Sequence, residues 1–598
     1  MKKKLVTMLL MAAMTASLIA CGSEGEGASQ DSTGQNSTAQ DSEAGSDAGA
    51  GNSDEESQKE SQAAEGVSAD MNYYGYEEPV TIKIGISYSA AADFTFLGGE
   101  TVEDNTWMSL YNANNIMPEI MYEVDPSQAD TKLSTAILSG DYPDVFEGTG
   151  AEYKNYVESG AVADITEAYE QYASPELKEY MNNYDGGMAL GSLYIDGRLY
   201  GLPKVSDPYS NAHVMWIRQD WLDNLGLQIP ETMDELKEVA HAFTYDDPDG
   251  NGRNDTYGLA LDGINVLNNS VGNAEPIFNG FGCWFSASGL SYIDDGNGEI
   301  IWGGANTEGM KQALQFLKEL YDDKSLATDF ITMDDQSVFA EAGAGRCGIW
   351  FGPNWGAMDP AQNASLNNPD CHIVAAAVPS ATGEATKAYA SATVNKVYFV
   401  SSKCANPEVL VKLWNLSVKY QNAEYCTAEE YNMYFGDSVN YTGQKTSLIS
   451  GEAPNGRSTN LALMEALKTG DESVLTAKQL ENYTAIKTYM DAVADGTFDP
   501  NDTVQKRGLS LYTVHADERS AWSVLHKMIA DHDYVDAAFN GIPSDAVSEA
   551  STTLKKQLTE TIVKVVTGAQ EVDSYDSFLN TWYAYGGQDA MDEANDAR

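Results

Sequence analysis

Basic residues are scarce in this chain of 598 residues. Lysine and arginine together number 35 against 90 aspartates and glutamates, which gives a formal net charge of −55. A protein that binds nucleic acid needs a positive surface to neutralise phosphates, so no nucleic-acid partner is expected. The same charge opposes an approaching anion, unless a local basic pocket overrides it. The composition therefore favours a neutral ligand over an acidic one.

Cysteine is also scarce, and its spacing argues against two kinds of site. Besides Cys21 there are five: Cys283, Cys347, Cys371, Cys404 and Cys426. Their number is odd and no two are spaced as CxxC, so neither a disulfide framework nor a zinc site is predicted. We expect these side chains to act as small buried apolar groups.

Long apolar runs are missing after the N-terminus, where residues 1–20 have the features of a signal peptide. Lys2, Lys3 and Lys4 precede a short apolar stretch from Leu5 to Ala16. No later stretch approaches the ~18 uninterrupted apolar residues that a bilayer-spanning helix needs. The rest of the chain is therefore expected outside the bilayer.

The end of this segment, Leu18-Ile19-Ala20-Cys21, resembles the lipobox of bacterial lipoproteins. The resemblance implies that Cys21 becomes the N-terminus and carries a diacylglyceryl group with palmitate-like chains, and two acyl chains give a stable anchor. The alternative is an ordinary secretory signal with a chance cysteine. It fits less well, because Cys21 lies where the apolar region ends and a polar tether begins. The protein is expected on the outer face of the cell membrane, attached through lipid alone.

Residues 21–76 are predicted to form a disordered tether. Ser, Gly, Ala, Gln, Asp and Glu dominate this stretch, and little of it can be buried to offset the entropy of ordering. A flexible coil of about fifty residues has a root-mean-square reach of roughly 40 Å, and acidic repulsion extends it further. The segment would hold a folded domain away from a surface.

The body of the chain has the strand–helix alternation of an α/β protein. Val80 to Ser87 alternates apolar residues on one face, Ile120 to Val124 is a second strand and 144–146 a third, with helix over Ser127 to Ser139. Such an order predicts a doubly wound sheet, in which ligands lie beyond the carboxyl ends of the strands. Its length of about 525 residues predicts at least two lobes.

Later segments carry clear signals for individual elements. Val214 to Arg218 is predicted as a strand, followed by a short helix that ends at Gly226. Thr232 and Glu235 form a capping box, which predicts a helix to about residue 242. Leu554, Leu558 and Ile562 at four-residue spacing predict a late helix closed by Gly568.

Residues 247–255 resemble the first part of an EF-hand calcium loop. Oxygen ligands stand at alternate positions, and glycines permit a tight wrap. Gly258 stands where an EF-hand has its bidentate glutamate, so Asp255 would have to complete the ion's coordination. A solvated acidic turn is the alternative. We predict a structural calcium ion with these ligands: Asp247, Asp249, Asn251, the Arg253 carbonyl and Asp255.

The similar stretch Asp294 to Gly298 lies between two predicted strands. One strand covers Leu290 to Ile293 and the other Ile300 to Trp302. Because a turn between strands needs the same residue types, we predict a hairpin here rather than a second ion.

Several motifs in order resemble the family 1 extracellular solute-binding proteins of ABC importers, in particular a large lipoprotein branch associated with oligosaccharides. The resemblance runs from about Pro79 to the C-terminus. It rests on these segments: Ser139 to Asp144, Asp196 to Pro203, Trp216 to Leu227 with Pro230 and Thr232, the calcium loop, Gly352 to Trp355, and Trp582 to Gly587.

The resemblance implies two α/β lobes of the type II periplasmic-binding-protein fold, which close on a ligand by a hinge. It places the first crossing near Leu202–Pro203 and the second near Lys396 to Val400. The lobes would be discontinuous, 77–203 with 395–500 and 204–394 with 501–598. The implied function is capture of a carbohydrate, which the charge favours as a neutral oligosaccharide, and its delivery to an ABC transporter permease. The protein is expected to be a monomer.

A sugar site combines aromatic platforms with placed polar groups. Trp350 and Trp355 flank a Gly-Pro turn that resembles the ligand-facing tryptophan loop of maltose-binding protein, and Trp284 lies in a stretch resembling a cleft segment. Tyr209 follows the first crossing, and Glu147 follows a strand. Each is a candidate contact, although a single aromatic residue is more often part of a core.

No catalytic motif is present: the sequence contains no nucleophile elbow, HExxH, P-loop or cysteine–histidine arrangement. We therefore expect a binding protein and not an enzyme. Two alternatives stay open, an extracytoplasmic carbohydrate-active enzyme that uses paired carboxylates, and a receptor that serves signalling or adhesion.

Overall fold

The computed structural model describes residues 71–87, 100–209, 212–287, 289–391, 394, 396–436, 447–454 and 456–597. The signal peptide, Cys21 and all of the tether before residue 71 lie outside these ranges. Within them, no helix is both long enough and apolar enough to cross a bilayer.

The first sheet has five strands in the order β2-β1-β3-β14-β6. The strands β1, β2 and β3 run parallel, and β14 is antiparallel to its neighbours β3 and β6. In chain order the strands are β1 Val80–Ser87, β2 Ile116–Val124, β3 Val145–Gly148, β6 Leu202–Pro203 and β14 Val397–Val400.

The second sheet has four strands in the order β12-β7-β11-β8. The strand β7 is antiparallel to both β11 and β12, whereas β8 and β11 run parallel. These strands are β7 Val214–Arg218, β8 Tyr257–Leu259, β11 Cys347–Gly352 and β12 Ile373–Ala376. Every residue of β7, β11 and β12 is buried, as expected for strands covered on both faces.

Among the described residues, three two-stranded ribbons complete the sheets. They pair β4 Tyr194–Ile195 with β5 Arg198–Leu199, β9 Tyr292–Asp294 with β10 Ile300–Trp302, and β13 Ala388–Ala390 with β15 Tyr534–Asp536. The ribbon of β9 and β10 is antiparallel across the Asp294 to Gly298 turn, so the predicted hairpin is confirmed.

Helices form much of the rest of the described chain. Those in the segments around the first sheet are Met71–Tyr74, Thr106–Ala113, Ala129–Ser139, Gly150–Glu158, Thr166–Tyr172, Pro175–Asn183, Met188–Ser192, Val409–Gln421 and Ala428–Tyr431. Those around the second sheet are Gln219–Leu225, Met233–Tyr245, Glu275–Gly280, Thr307–Asp322, Asp335–Gly343, Met358–Asn367, Ala521–Asp531, Asp545–Val566, Tyr575–Trp582 and Gln588–Asp596. Three more are Gly456–Thr469, Ala477–Ala494 and Thr503–Leu511.

Two large hydrophobic cores define two lobes. The first core takes residues from 74–205 and 397–449, and the second from 212–388 and 509–594. The chain therefore crosses between them after β6, before β14, and again between 449 and 509. This is the two-lobed, discontinuous arrangement that the resemblance implies, while the exact lobe limits stay a prediction.

A third, small cluster lies in the last crossing. Leu463, Tyr483 and Ile486 pack with Leu511, and so join the three helices between 456 and 511. The sequence placed residues 456–500 in the first lobe, but their buried side chains belong to neither large core.

Local capping signals explain where several elements begin and end. Thr232 Oγ1 accepts from the Glu235 amide at 3.2 Å, and Glu235 Oε2 accepts from the Thr232 amide at 3.0 Å, so the capping box is confirmed. Gly226 ends the preceding helix with φ of 68°, in the left-handed region.

The folded chain begins earlier than the sequence predicted. Met71–Tyr74 is helical, Tyr74 is buried in the first core, and the Tyr76 amide donates to Asn114 O at 3.1 Å. Residues 71–76, which the sequence placed in the tether, thus contact the first lobe.

Candidate ligand-binding site

The strand ends of both lobes face the crossings of the chain. In the first sheet Val397 lies opposite both Gly148 and Pro203, so the end of β3 and the end of β6 share one edge. In the second sheet Gly352, at the end of β11, lies opposite Val214, where the chain enters from the first crossing. Because loops at carboxyl ends form ligand sites in α/β folds, these two edges are the candidate site.

Glu147 lies at the first of these edges. Its carboxylate is 2.8 Å from Lys396 Nζ, and both side chains are exposed. Lys204, which leads into the first crossing, donates its amide to Lys396 O at 2.9 Å and its Nζ to Glu452 at 3.0 Å. Glu147 is therefore positioned beside the hinge, with one partner that a ligand hydroxyl could replace.

Tyr209 lies in the first crossing and is held by the second lobe. Its hydroxyl donates to Asp536 Oδ1 at 3.2 Å, and its ring meets that of Tyr534 at 4.8 Å between centroids. Its amide donates to Asp207 at 3.0 Å. Trp284 meets the same ribbon of β13 and β15, because its indole N–H donates to Lys387 O at 3.1 Å. The structure thus brings Tyr209 and Trp284 to one ribbon.

Trp355 lies three residues beyond β11, at the edge of the second sheet. Its side chain is 41% exposed, and its ring is nearly parallel to that of Phe339, with 6.3 Å between centroids and 15° between planes. One face of the indole is therefore backed by Phe339, which suits it as a platform for the apolar face of a sugar.

Trp350 is not a platform in this structure. The residue is fully buried within β11, and its indole N–H donates to Gly356 O at 3.0 Å. It supports the turn that holds Trp355. Of the two tryptophans, Trp355 is therefore the exposed one. Trp216 has a similar supporting role, because its indole donates to Pro353 O at 3.1 Å.

A buried carboxylate that the sequence analysis missed lies at the same edge. Asp262 follows β8, is buried, and accepts from the Asn265 amide at 2.6 Å and from the Asn268 side chain at 3.2 Å. Burial raises its pKa to about 6, and the nearby Asp335 adds to the effect. Its place three residues after a strand was the available signal.

A cavity of about 680 Å³ adjoins the first crossing, and we call it the hinge cavity. Its volume lies within the range of small-molecule sites. Tyr209 is the one predicted contact among its lining residues. Others that the sequence analysis missed include Tyr184, Asp207, Tyr431, Arg457 and Lys478. Aromatic rings, amides and charged groups therefore line one space, but no sequence pattern connects positions so far apart.

The predicted calcium loop is a tight acidic turn. Asp247 has φ of 50°, and its carboxylate accepts from the Gly252 amide at 3.0 Å. The Asn251 amide group bridges Asp249 at 2.6 Å and Asp255 at 3.1 Å. Burial, together with the nearby carboxylates of Asp255 and Asp247, raises the pKa of Asp249.

The donor set of this loop suits a hard cation, because like carboxylates face one another without a basic partner. The Arg253 amide donates to Asn251 Oδ1 at 2.7 Å, which leaves the Arg253 carbonyl for other contacts. In the part of the chain that the structure describes, no three carboxylate, imidazole or thiol side chains are placed together as a metal site. Calcium binding at Asp247, Asp249, Asn251, Arg253 and Asp255 therefore stays a prediction.

The described cysteines carry no disulfide. Cys283, Cys347 and Cys371 are buried, and Cys404 and Cys426 are partly buried. Burial raises the pKa of the Cys283 and Cys371 thiols to about 12, so they stay protonated at neutral pH.

Part of the chain matches a known protein family. Residues 118–416, half of the chain, match the family described as bacterial extracellular solute-binding protein. That match includes the first two crossings and most of both sheets.

Three curated proteins are similar over part of their length. Lipoprotein LipO of Bacillus subtilis is 32% identical over 38% of this chain and 42% of its own. The polygalacturonan/rhamnogalacturonan-binding protein YtcQ of the same organism is 29% identical, over 46% and 51%. The fructooligosaccharide ABC transporter substrate-binding protein FusA of Streptococcus pneumoniae is 26% identical, over 37% and 41%. The matches thus span about half or less of these relatives.

Among solved structures, a solute-binding protein of Bifidobacterium longum infantis, described as HMO-binding and ABC-transporter-associated, has the same fold. It superposes with a TM-score of 0.57 at 16% identity, covering 87% of this chain and 98% of its own. At this identity the likeness supports the two-lobed fold alone.

Proposed function

Because the chain belongs to the bacterial extracellular solute-binding protein family, we propose that it captures an oligosaccharide outside the cell and delivers it to the permease of an ABC importer. The main support for this proposal is the family match over residues 118–416. The matched part includes the first two crossings, and the strand ends of both sheets lie beside these crossings. YtcQ, FusA and the Bifidobacterium structure are all named as binding proteins, which supports a capture role rather than catalysis.

The nature of the solute is inferred from relatives and from the site. YtcQ is named for binding polygalacturonan and rhamnogalacturonan, and FusA is named as a fructooligosaccharide ABC transporter substrate-binding protein. Both match this chain over part of their length. An exposed tryptophan backed by Phe339, with carboxylates and amides nearby, has the composition of a sugar site. At long range the net charge of −55 favours a neutral oligosaccharide.

We assign the ligand contacts to four of the five predicted residues. Trp355 would stack on a sugar face, and Glu147 would accept from hydroxyls beside the hinge. Tyr209 and Trp284 would contact the sugar from the ribbon of β13 and β15. Trp350 would act only by supporting the loop that holds Trp355.

Two further parts of the proposal concern attachment and metal. Cys21 would carry the lipid that holds the protein at the cell surface, in keeping with the similarity to a lipoprotein. The turn of 247–255 would hold a calcium ion, and the bound ion would neutralise its facing carboxylates and fix the backbone between the helix Met233–Tyr245 and β8.

Melting temperature tests the capture proposal. Residues 71–598, without the signal peptide, Cys21 and most of the tether, are heated in saturating calcium. The ligand panel contains neutral oligosaccharides, acidic oligosaccharides and peptides. A ligand that binds only the folded state adds about 2.7 kcal/mol of stability at one hundred times its Kd. We expect a rise with at least one oligosaccharide, and no consumption of that sugar over hours.

The matched variants are Trp355→Ala and, as a control on a nearby exposed residue, Leu366→Ala. We expect the first to weaken sugar binding at least tenfold and the second to leave it unchanged, because only Trp355 offers a backed aromatic face. Binding of peptides alone, or cleavage of the sugar, would contradict the proposed function.

A further inference from the structure

A loop of the second lobe contacts the first lobe. Residues 537–543 join β15 to the next helix, and both of these elements pack in the second core. Ile542 of this loop is nevertheless partly buried against the first core. The Asn540 side-chain amide also donates to Met188 Sδ, in a helix of the first lobe, at 3.3 Å. We call residues 540–542 the latch.

The chain is fixed to the second lobe on both sides of the latch. Before it, the Ala538 amide donates to Tyr292 O at 2.8 Å. The Phe539 ring meets the Tyr292 ring edge to face, with 5.1 Å between centroids. After it, the Ser544 amide donates to Glu593 Oε1 at 2.7 Å. A loop held so near both of its ends has little freedom of its own, so the latch moves with the second lobe.

The strand before the latch is bonded to the first crossing. The Tyr209 hydroxyl donates to Asp536 Oδ1 at 3.2 Å, and the Tyr534 hydroxyl donates to Tyr209 O at 3.1 Å. Tyr209 lines the hinge cavity, and so does Tyr184, which lies four residues before Met188 in the chain. The latch therefore meets the first lobe beside the hinge cavity.

The position of Ile542 favours an arrangement in which the two lobes stay close. An apolar side chain gains free energy in proportion to the area that it removes from water. Ile542 removes that area only while the first lobe is within its reach. A ligand that touches both lobes favours the same arrangement. A contact that increases the fraction of free protein in the binding-competent state raises the apparent affinity for the ligand.

We propose that the latch determines ligand affinity from outside the ligand contacts. Ile542 holds the second lobe against the first in the ligand-free protein, and so keeps more of the protein ready to bind. The effect on affinity rests on the proposed capture function, whereas the contact between the lobes does not depend on any ligand.

Small-angle X-ray scattering of residues 71–598 without ligand tests the contact. Ile542→Ala removes most of the apolar side chain, so the lobes should separate more often and the radius of gyration should exceed that of wild type. Ile542→Val keeps most of the apolar area and should give a radius close to that of wild type.

Ile137→Ala is the matched control for this measurement. Ile137 is also partly buried against the first core, but it lies within the first lobe, in the helix Ala129–Ser139. Its substitution removes the same atoms from the same core without removing a contact between the lobes. We expect both alanine variants to melt below wild type, and only Ile542→Ala to change the radius of gyration.

Calorimetry measures the effect on affinity, with kestose as a neutral probe and trigalacturonate as an acidic one. A probe that wild type binds should bind to Ile542→Ala about threefold to tenfold more weakly. Its affinity for Ile137→Ala should equal that for wild type. Saturation with the same probe should return the radius of gyration of Ile542→Ala to the wild-type value, because the ligand then holds the lobes together.

The outcomes separate the latch from the capture function. An unchanged radius of gyration in Ile542→Ala overturns the latch, and so does an equal increase in Ile137→Ala, which would show a loosened first lobe instead. Tighter binding by Ile542→Ala would also overturn the proposal, since the contact would then oppose the binding-competent state. If no oligosaccharide binds to wild type, capture fails, and scattering of the ligand-free protein still decides whether the latch exists.

Discussion

One buried carboxylate is expected to contribute to the acid stability of the second lobe. Asp517 accepts from the Arg519 amide at 2.7 Å and lies 3.7 Å from His372 Nε2. Burial works against its ionisation, but the hydrogen bonds of His372 and Arg519 prevail and lower its pKa to about 2. A carboxylate with a lowered pKa stabilises the fold above the pKa of the unfolded chain, near 4, and this contribution is lost as the pH falls toward 2.

We therefore expect Asp517→Asn to reduce the free energy of unfolding by about 1–2 kcal/mol at pH 6, and by progressively less between pH 4 and pH 2. Urea denaturation at several pH values measures this difference. Asp531→Asn, which removes an exposed ion pair with Lys527, should cost less than about 0.5 kcal/mol. A cost for Asp517→Asn that does not change with pH would show that its role is packing and not charge.

Residue-level patterns explain why some site residues could be found from the sequence and others not. Trp355 follows a recognisable Gly-Pro turn, but a tryptophan two positions before that turn is equally conspicuous. Only the register of β11 shows that Trp350 points into the core. The lining residues of the hinge cavity belong to no motif, because they come from distant parts of the chain and meet only in the folded protein.

At the scale of elements, the strands and caps were the most predictable features. The strands β1 and β7 have the predicted bounds, because alternation and burial mark them clearly. The strand β2 begins at Ile116, four residues before its predicted start. Because proline is unusual inside a strand, Pro118 argued against an earlier start. Proline is tolerated here because β2 is an edge strand, and a missing N–H costs nothing on its open side.

Two acidic turns of similar sequence give a direct test of the calcium prediction. The turn of 247–255 holds facing carboxylates, whereas Asp295 accepts from the amides of Asn297 and Glu299 within a hairpin. We expect calcium to raise the melting temperature of wild type. Asp249→Asn should abolish most of this rise, and Asp295→Asn should leave it intact.

Titration of residues 71–598 with calcium in a scanning calorimeter, with magnesium as the comparison ion, measures the effect. An equal loss in both variants would point to nonspecific binding of calcium to an acidic surface. The lack of any shift in wild type would contradict the calcium site.

At the scale of the whole molecule, attachment is expected to depend on one atom, the sulfur of Cys21. We expect Cys21→Ala to move the protein from the membrane fraction to the medium in the producing cell, because the signal then offers no acceptor for the lipid. Ser23→Ala is a matched control beside it and should stay in the membrane fraction. Retention of Cys21→Ala at the membrane would show a different anchor.

The interleaving of the two lobes also sets the order in which the protein can be made. The second core contains Trp216 near the first crossing and Ala594 close to the C-terminus. Neither lobe is complete until distant segments of the chain are present, and contacts of such long range form slowly. During secretion, the second lobe can therefore complete its core only when the last helices arrive, whereas the first core needs nothing beyond residue 449. Chaperones and proteases at the cell surface would compete for it during that interval.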